Sequence, residues 1–306
     1  MKTRLPVYAA LSYVVFCWGL NTVLIKHAFT DIDPLAFMSL RFLIMTPLAF
    51  VLLHAAGERV AFEKRDLPLL ILCGACGYGI YQYLWVIGLA NTTPFASALL
   101  GTFAPIFTLA ILALAGHEKV RSGRWAGAAI ALLGVAIFEG AFAGRLSFRS
   151  GDALTLVAAG VFAGYNVVSA RLLDRYTPLN LLVVTMAIGT VMIVPSGFVA
   201  VLHTDFARIS PSSWGAFAFA VLFPIMLTYP VWSWGITKIG AGRVSLFSFL
   251  TPVIAGLLSI PILHARFATH QLAGAAVCLG GMLLSNALGK TSLAQLWSWR
   301  AFGVER

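Results

Sequence analysis

The sequence predicts an all-α integral membrane protein of about ten transmembrane helices, arranged as two inverted five-helix repeats. Three observations carry that expectation. Of the 306 residues, 60% are hydrophobic and 10% are charged, with a mean hydropathy of +0.90, more apolar surface than a water-soluble chain of this size can hide. The apolar residues fall into runs close to the ~20 residues that a helix needs to cross hydrocarbon. Finally, one set of landmarks occurs twice. Trp85, Gly88, Pro105, His117, Gly127 and Gly134 are matched by Trp232, Gly235, Pro252, His264, Gly274 and Gly281, each 147 positions later. That is an internal duplication.

The ten runs are 5–26, 34–54, 67–90, 93–115, 123–143, 152–173, 177–202, 212–237, 241–263 and 268–288. The first follows Lys2 and Arg4, as a signal peptide would, but it is long and leads into no soluble domain, so it reads as a first span. The breaks between runs are short and carry turn punctuation: Asp31-Ile32-Asp33-Pro34, Gly57-Glu58-Arg59, Asn91-Thr92-Thr93-Pro94 and Ser210-Pro211-Ser212. None could separate two soluble domains. The first and sixth runs also match, Gly19-Leu20-Asn21 with Lys26 reappearing as Gly164-Tyr165-Asn166 with Arg171, 145 positions later. The halves are therefore 1–143 and 152–288, five spans each, followed by a tail over 289–306. Five is odd, so the second half enters the membrane from the opposite side.

The formal net charge is +10. Lys and Arg lie in short clusters between apolar runs with no basic stripe, which argues for membrane topology and against nucleic acid. With the N-terminus inside, fifteen are cytoplasmic and five external (Lys26, Arg145, Arg149, Arg208 and Arg266). Both termini are then cytoplasmic, and the expected location is the cell inner membrane. Arg41 stands apart, inside the second span. It is either functional or placed to snorkel or to pair with Asp31 or Asp33. The four cysteines, including the Cys73-Gly74-Ala75-Cys76 motif, sit within apolar runs and read as packing residues. Asn91-Thr92-Thr93 fits a glycosylation sequon but hugs the membrane, and Gly289-Lys290-Thr291 lacks the first glycine of a phosphate loop. The tail residues Leu293, Leu296, Trp297 and Trp299 suit a membrane surface.

Polar side chains in mid-span point inward by default, because hydrocarbon offers them no partner. Tyr78, Gln82 and Trp85 share a helical face in the third span, and Tyr229 and Trp232 are the images of Gln82 and Trp85. Asn21 and Asn166 form a second pair, suited either to a substrate's charged groups or to bonding between helices. Ser97, Gly101 and Thr102, with Ser245 and Ser248, lie near Pro105 and Pro252. Those two prolines read as paired hinges or static kinks, with Pro224 and Pro230 adding bends in the eighth span.

The chain resembles the drug/metabolite transporter superfamily, in the ten-helix branch built from two EamA repeats. The resemblance is carried by Trp18-Gly19-Leu20-Asn21, Pro34 followed by Arg41, the aromatic third span ending in Gly88-Leu89-Ala90, Pro105, His117-Glu118 and the Gly-rich fifth and tenth spans. It extends to about residue 288 and is nearest to aromatic amino-acid exporters of the YddG type. It implies a substrate cavity between the repeats, to which Trp18 contributes. Two positions depart from the repeat pattern: Ala265 stands opposite Glu118, and Met186 opposite Arg41.

All eleven acids fall in loops or near span ends, leaving no midplane carboxylate to carry a proton. The expected function is export of small amphipathic metabolites, aromatic or neutral amino acids above all, by facilitated alternating access. A proton-coupled exporter is the alternative. An intramembrane enzyme would need a cluster of acids, histidines or an activated nucleophile that the sequence lacks, and a channel would not saturate. The expected substrate lining is Trp18, Asn21, Tyr78, Gln82, Trp85, Ser97, Gly101, Asn166, Tyr229, Trp232 and Ser245. No catalytic residue, metal or cofactor is expected. The partners are a small-molecule substrate and the lipid bilayer, with the chain a monomer or weak dimer.

Overall fold

The computed structural model describes residues 5–114, 122–140, 148–239 and 246–288. Ser245, His117, Glu118 and the tail over 289–306 lie outside the described residues. Within them every regular element is helical. The ten spans begin with Leu5–Ala28, Pro34–Ala55 and a third span built from Leu67–Gly74, Ala75–Gly79 and Ile80–Ala90. The fourth combines Pro94–Gly101 with Ala104–Leu114, and Ser122–Phe138, Ser150–Leu172 and Pro178–Leu202 follow. The eighth is Pro211–Val221, Leu222–Leu227 and Thr228–Ile239; Leu246–Phe249 with Leu250–Leu263, and Thr269–Leu288, complete the set. Among the described residues six helices are long and apolar enough to cross a membrane by length and composition alone. Trp125–Phe138, Pro211–Leu227 and Phe247–Leu263 are shorter apolar helices, and in a bundle such backbone is sheltered by neighbouring helices.

Several spans start on the same local device. Asp33, Thr93, Thr177 and Ser210 each stand at an N-cap and accept a backbone N–H of the first turn, with proline next in sequence. The side chain satisfies an orphan donor while proline, lacking an N–H, removes another.

The packing has a two-fold pattern. The second span lies along the seventh, where the Thr46 and Thr190 hydroxyls meet at 2.6 Å, and the fifth lies along the tenth. The first span packs on the eighth and ninth, and the sixth reproduces this on the third and fourth. Along the fifth and tenth spans the backbones touch. A Cβ on Gly127 would strike the Ser285 backbone, and one on Gly274 would strike that of Phe138. Likewise Gly134 abuts Cys278, and Gly281 abuts Ala131. Each contact is the 147-residue image of the other, as an inverted repeat requires.

Loop contacts sort into two ends. At one, Lys26 donates to the Leu89 and Ala90 carbonyls at 2.9 and 2.7 Å, Thr92 donates to Asp152, and Asp31 accepts from Ser210 and Ser213. At the other, Asp66 accepts from Arg175 at 2.5 Å and Tyr176 at 2.7 Å, while Asn180 donates to the Arg59 carbonyl at 2.8 Å. The loops in these contacts fall at alternate ends along the described chain, as a multi-pass chain demands.

Candidate functional site

The duplication marks the site through two helix interruptions. The third span makes a π-helical turn at Ala75–Gly79, and the eighth makes one at Leu222–Leu227. Adding 147 to 75 gives 222, so the turns are images of one another. Such turns occur disproportionately at functional positions. Their local causes differ. The first holds Ala75-Cys76-Gly77-Tyr78-Gly79, whose small residues permit close approach; the Tyr165 ring lies where a Gly77 Cβ would be. The second holds Pro224, which has no N–H to give the carbonyl of Ala220 four residues earlier. Arg41 takes that carbonyl instead, its Nε donating at 3.0 Å.

Arg41 is 2% exposed and stands at the centre of the site. Its guanidinium lies within electrostatic reach of the Tyr81 and Tyr229 phenols, and Tyr229 in turn couples to Tyr78 and Tyr165. Two phenols, from the third and eighth spans, thus face a cation from the second, and Tyr78 and Tyr165 adjoin them. Around them the rings form continuous walls. Tyr78 meets Tyr165 edge-on at 5.8 Å, Tyr165 stacks on Phe162 at 5.4 Å, and Phe162 meets Tyr81 at 4.7 Å. On the other side Trp18 contacts Tyr229 at 6.1 Å and Trp232 at 4.8 Å. Its indole N–H donates to the Thr228 hydroxyl at 2.8 Å and the Pro224 carbonyl at 3.1 Å.

The structure brings Trp18, Tyr229 and Trp232 into one cluster and places Tyr78 in the adjoining one. Gln82 and Asn21 are buried, at 5% and 6% exposure, and their side-chain oxygens have no hydrogen-bond partner. A buried polar atom without a partner is rare enough to need an explanation, and a ligand-facing position supplies one. Ser97 is also buried with its oxygen unpartnered, in the fourth span. Trp85 is partly buried against the core that contains Tyr78 and Phe42. Asn166 is partly buried, and a Cβ on Gly101 would meet open space. No contact between Asn166, Ser97 or Gly101 and the phenol cluster is among the described bonds.

Pro105 sits just after a break at 102–103, in the first turn of Ala104–Leu114, and Pro252 occupies the equivalent place in Leu250–Leu263 after a 3₁₀ turn. Both breaks follow from the N–H that proline lacks. Pro224 lies within the second π turn, and Pro230 is part of Thr228–Ile239, its side chain outside the described residues.

Sequence reasoning missed Tyr81 and Tyr165 and left Arg41 between two readings. The structure decides Arg41's surroundings: it neither snorkels nor pairs with Asp31 or Asp33. Asp31 is engaged by Ser210 and Ser213, and Asp33 caps its own helix. Tyr165 lies between the Gly164 and Asn166 that the repeat singles out, whereas Tyr81 is hidden because its image is Thr228. Away from this cluster, a small cavity at the Lys26 end is bordered by Thr92, Arg149, Asp152 and Gln271. There Asp152 already accepts from Thr92 and from the Arg149 backbone, which makes it a loop junction. Among the described residues no group of three His, Cys, Asp or Glu could hold a metal ion.

Comparison with known proteins agrees with this architecture. A solved structure 19% identical superposes with a TM-score of 0.64, covering 92% of this chain and 97% of that one. An uncharacterized transporter of Archaeoglobus fulgidus is 27% identical over 280 residues, 90% of this chain and 97% of the relative. A protein named as a probable amino-acid metabolite efflux pump of Salmonella typhimurium is 28% identical, over 89% of this chain and 92% of its own length. A probable terminal-alkyne amino-acid exporter of Streptantibioticus cattleyicolor is 28% identical over 73% of this chain and 74% of its own. The profile of the EamA-like transporter family matches twice, at residues 5–139 and 149–287. Those matches run through both halves, and the chain accordingly belongs to the EamA-like transporter family, as a multi-pass membrane transporter and not an enzyme.

Proposed function

We propose that this transporter exports small amphipathic metabolites, aromatic or neutral amino acids in particular, by facilitated alternating access. The observation that carries the proposal is the run of aromatic contacts from both halves, Trp18, Tyr78 and Tyr81 from one and Tyr165, Tyr229 and Trp232 from the other, with Arg41 facing Tyr81 and Tyr229. Rings of this kind hold an apolar body by stacking and an ammonium by cation–π attraction, while Gln82 and Asn21 offer acceptors. The names of the Salmonella typhimurium and Streptantibioticus cattleyicolor relatives support the amino-acid class. Units 1–143 and 152–288 exchange conformations about Pro105, Pro252 and the two π turns, with Pro224 and Pro230 bending the eighth span. In this reading the chain resides in the cell inner membrane, the Asp66 end and both termini are cytoplasmic, and Ser245 and Asn166 complete the substrate path.

Purified protein in liposomes tests this. Radiolabelled phenylalanine should enter without an imposed pH gradient, saturate, and be accelerated by unlabelled substrate on the opposite side. Uptake that requires a pH gradient would replace the facilitated reading with proton coupling, and uptake without trans-stimulation would replace the carrier with a channel.

A further inference from the structure

We infer that Arg41 anchors a carboxylate, so that the transported species must carry an anionic group beside its apolar body. The inference rests on the transport reading above and narrows it.

A guanidinium presents five N–H donors. In Arg41 the Nε donor goes to the Ala220 carbonyl, and no other acceptor is bonded to the group among the described residues. The ion pairs among the described residues all lie at the ends of the bundle: Arg65 with Glu63, Arg175 with Asp66 and Arg208 with Asp205. Arg41 has no such partner, and the ionisable groups facing it are the neutral phenols of Tyr81 and Tyr229. A buried cation without a counter-ion is unfavourable in hydrocarbon unless something compensates it. The Ala220 bond compensates in part and also sets the orientation, because Nε is held while the rest of the planar fork stays available. A fork so fixed matches the two oxygens of a carboxylate.

The two-fold arrangement strengthens the assignment. Counted from the capped prolines Pro34 and Pro178, the position opposite Arg41 is Thr185, with Met186 beside it, and both are fully buried and uncharged. One cation in an otherwise neutral site defines one anion position. Trp18 and Trp232 then receive the apolar end of the ligand, and the Tyr81 and Tyr229 hydroxyls can donate to the carboxylate that Arg41 holds.

The test uses the full chain in detergent and pairs of ligands that differ at one group. 3-Phenylpropanoate and L-phenylalanine should raise the thermal unfolding midpoint, while 2-phenylethylamine and phenylalanine methyl ester at equal concentration should not. Arg41→Lys should weaken the acid roughly tenfold, since lysine keeps the charge and loses the fork. Arg41→Met, which keeps a long unbranched chain and removes the charge, should abolish the preference for acid over amine. The proposal is overturned if the amine stabilises the parent protein as strongly as the acid, or if Arg41→Met binds the acid with parental affinity. Should Arg41→Met fail to fold, the parental acid-to-amine comparison and Arg41→Lys decide the matter between them. Acid binding without any counterflow would overturn the transport reading and leave the anchor standing.

Discussion

The indole nitrogen of Trp18 donates to the Thr228 hydroxyl at 2.8 Å, and the same hydroxyl donates to the Pro224 carbonyl at 2.7 Å. The first span thereby grips the eighth at the point where its helix is interrupted, and does so with a ring that also lines the aromatic cluster.

Replacing Trp18 by Phe keeps an aromatic ring and removes both indole bonds. An ordinary hydrogen bond contributes about 1 kcal/mol net, so the unfolding midpoint should fall by a few degrees and the half-saturation concentration for an aromatic substrate should rise. Thr228→Val should act on the same contact, and the double variant should cost less than the two effects added. Thermal unfolding and counterflow on the three variants check this; strict additivity would mean the grip is not shared.

Pro224→Ala returns an N–H to the eighth span, which competes with Arg41 for the Ala220 carbonyl. Straightening the helix should slow turnover while leaving thermal stability equal or higher, the opposite of what a damaged fold does. Initial transport rates alongside unfolding midpoints separate the two, and a variant with parental turnover would remove Pro224 from the moving parts.

The glycine seam offers a test of the repeat itself. Gly134→Ala drives a methyl into the Cys278 backbone and Gly281→Ala drives one into that of Ala131. Overpacking of this kind costs about 1–3 kcal/mol, and the two variants should lose equal stability. Gly280→Ala, whose Cβ meets nothing within 4 Å, is the control and should be near neutral. Unequal losses at Gly134 and Gly281 would break the symmetry at this seam.

Asp31 gives the fold a defined acid response. The Ser210 hydroxyl, then the Ser213 hydroxyl and the Ser210 amide, lower its pKa from 3.8 to about 2. A carboxylate held down in the folded state stabilises it above the unfolded pKa, and that contribution disappears as pH falls from about 4 through about 2. Asp31→Asn should therefore be less stable than the parent at neutral pH and indistinguishable from it near pH 2, as denaturation across that range would reveal.

Much of this was legible in the sequence because hydrocarbon leaves a chain few choices. The ten runs, the turn punctuation at Asp33-Pro34 and Ser210-Pro211, and the doubled glycines all follow from the need to bond the backbone internally and to bring helices close. Tyr229 and Trp232 also follow from helical periodicity and the repeat, while Trp18 came from the family resemblance. The π turns did not, since one arises from a proline and the other from a glycine-rich stretch, and no shared residue pattern marks them. Tyr81 escaped for a related reason: its image is a threonine, so a search for paired residues passes over it. Arg41 could be placed only once the partners of Asp31 and Asp33 were known, which depends on a loop more than 170 residues away.

The glycine seam carries one more consequence. Gly127 touches Ser285 while their images, Gly274 and Phe138, touch each other, which is the reciprocity of an isologous interface between two identical subunits. Cut at the connection near residue 145, each half would expose the same self-complementary ridge, and two copies of a single five-span ancestor inserted in opposite senses would have found each other along it. Joined in one chain, the two halves are free to differ, and the lone arginine at position 41, matched only by uncharged Thr185 and Met186 in the other half, is a difference open only to a chain that is no longer its own mirror partner.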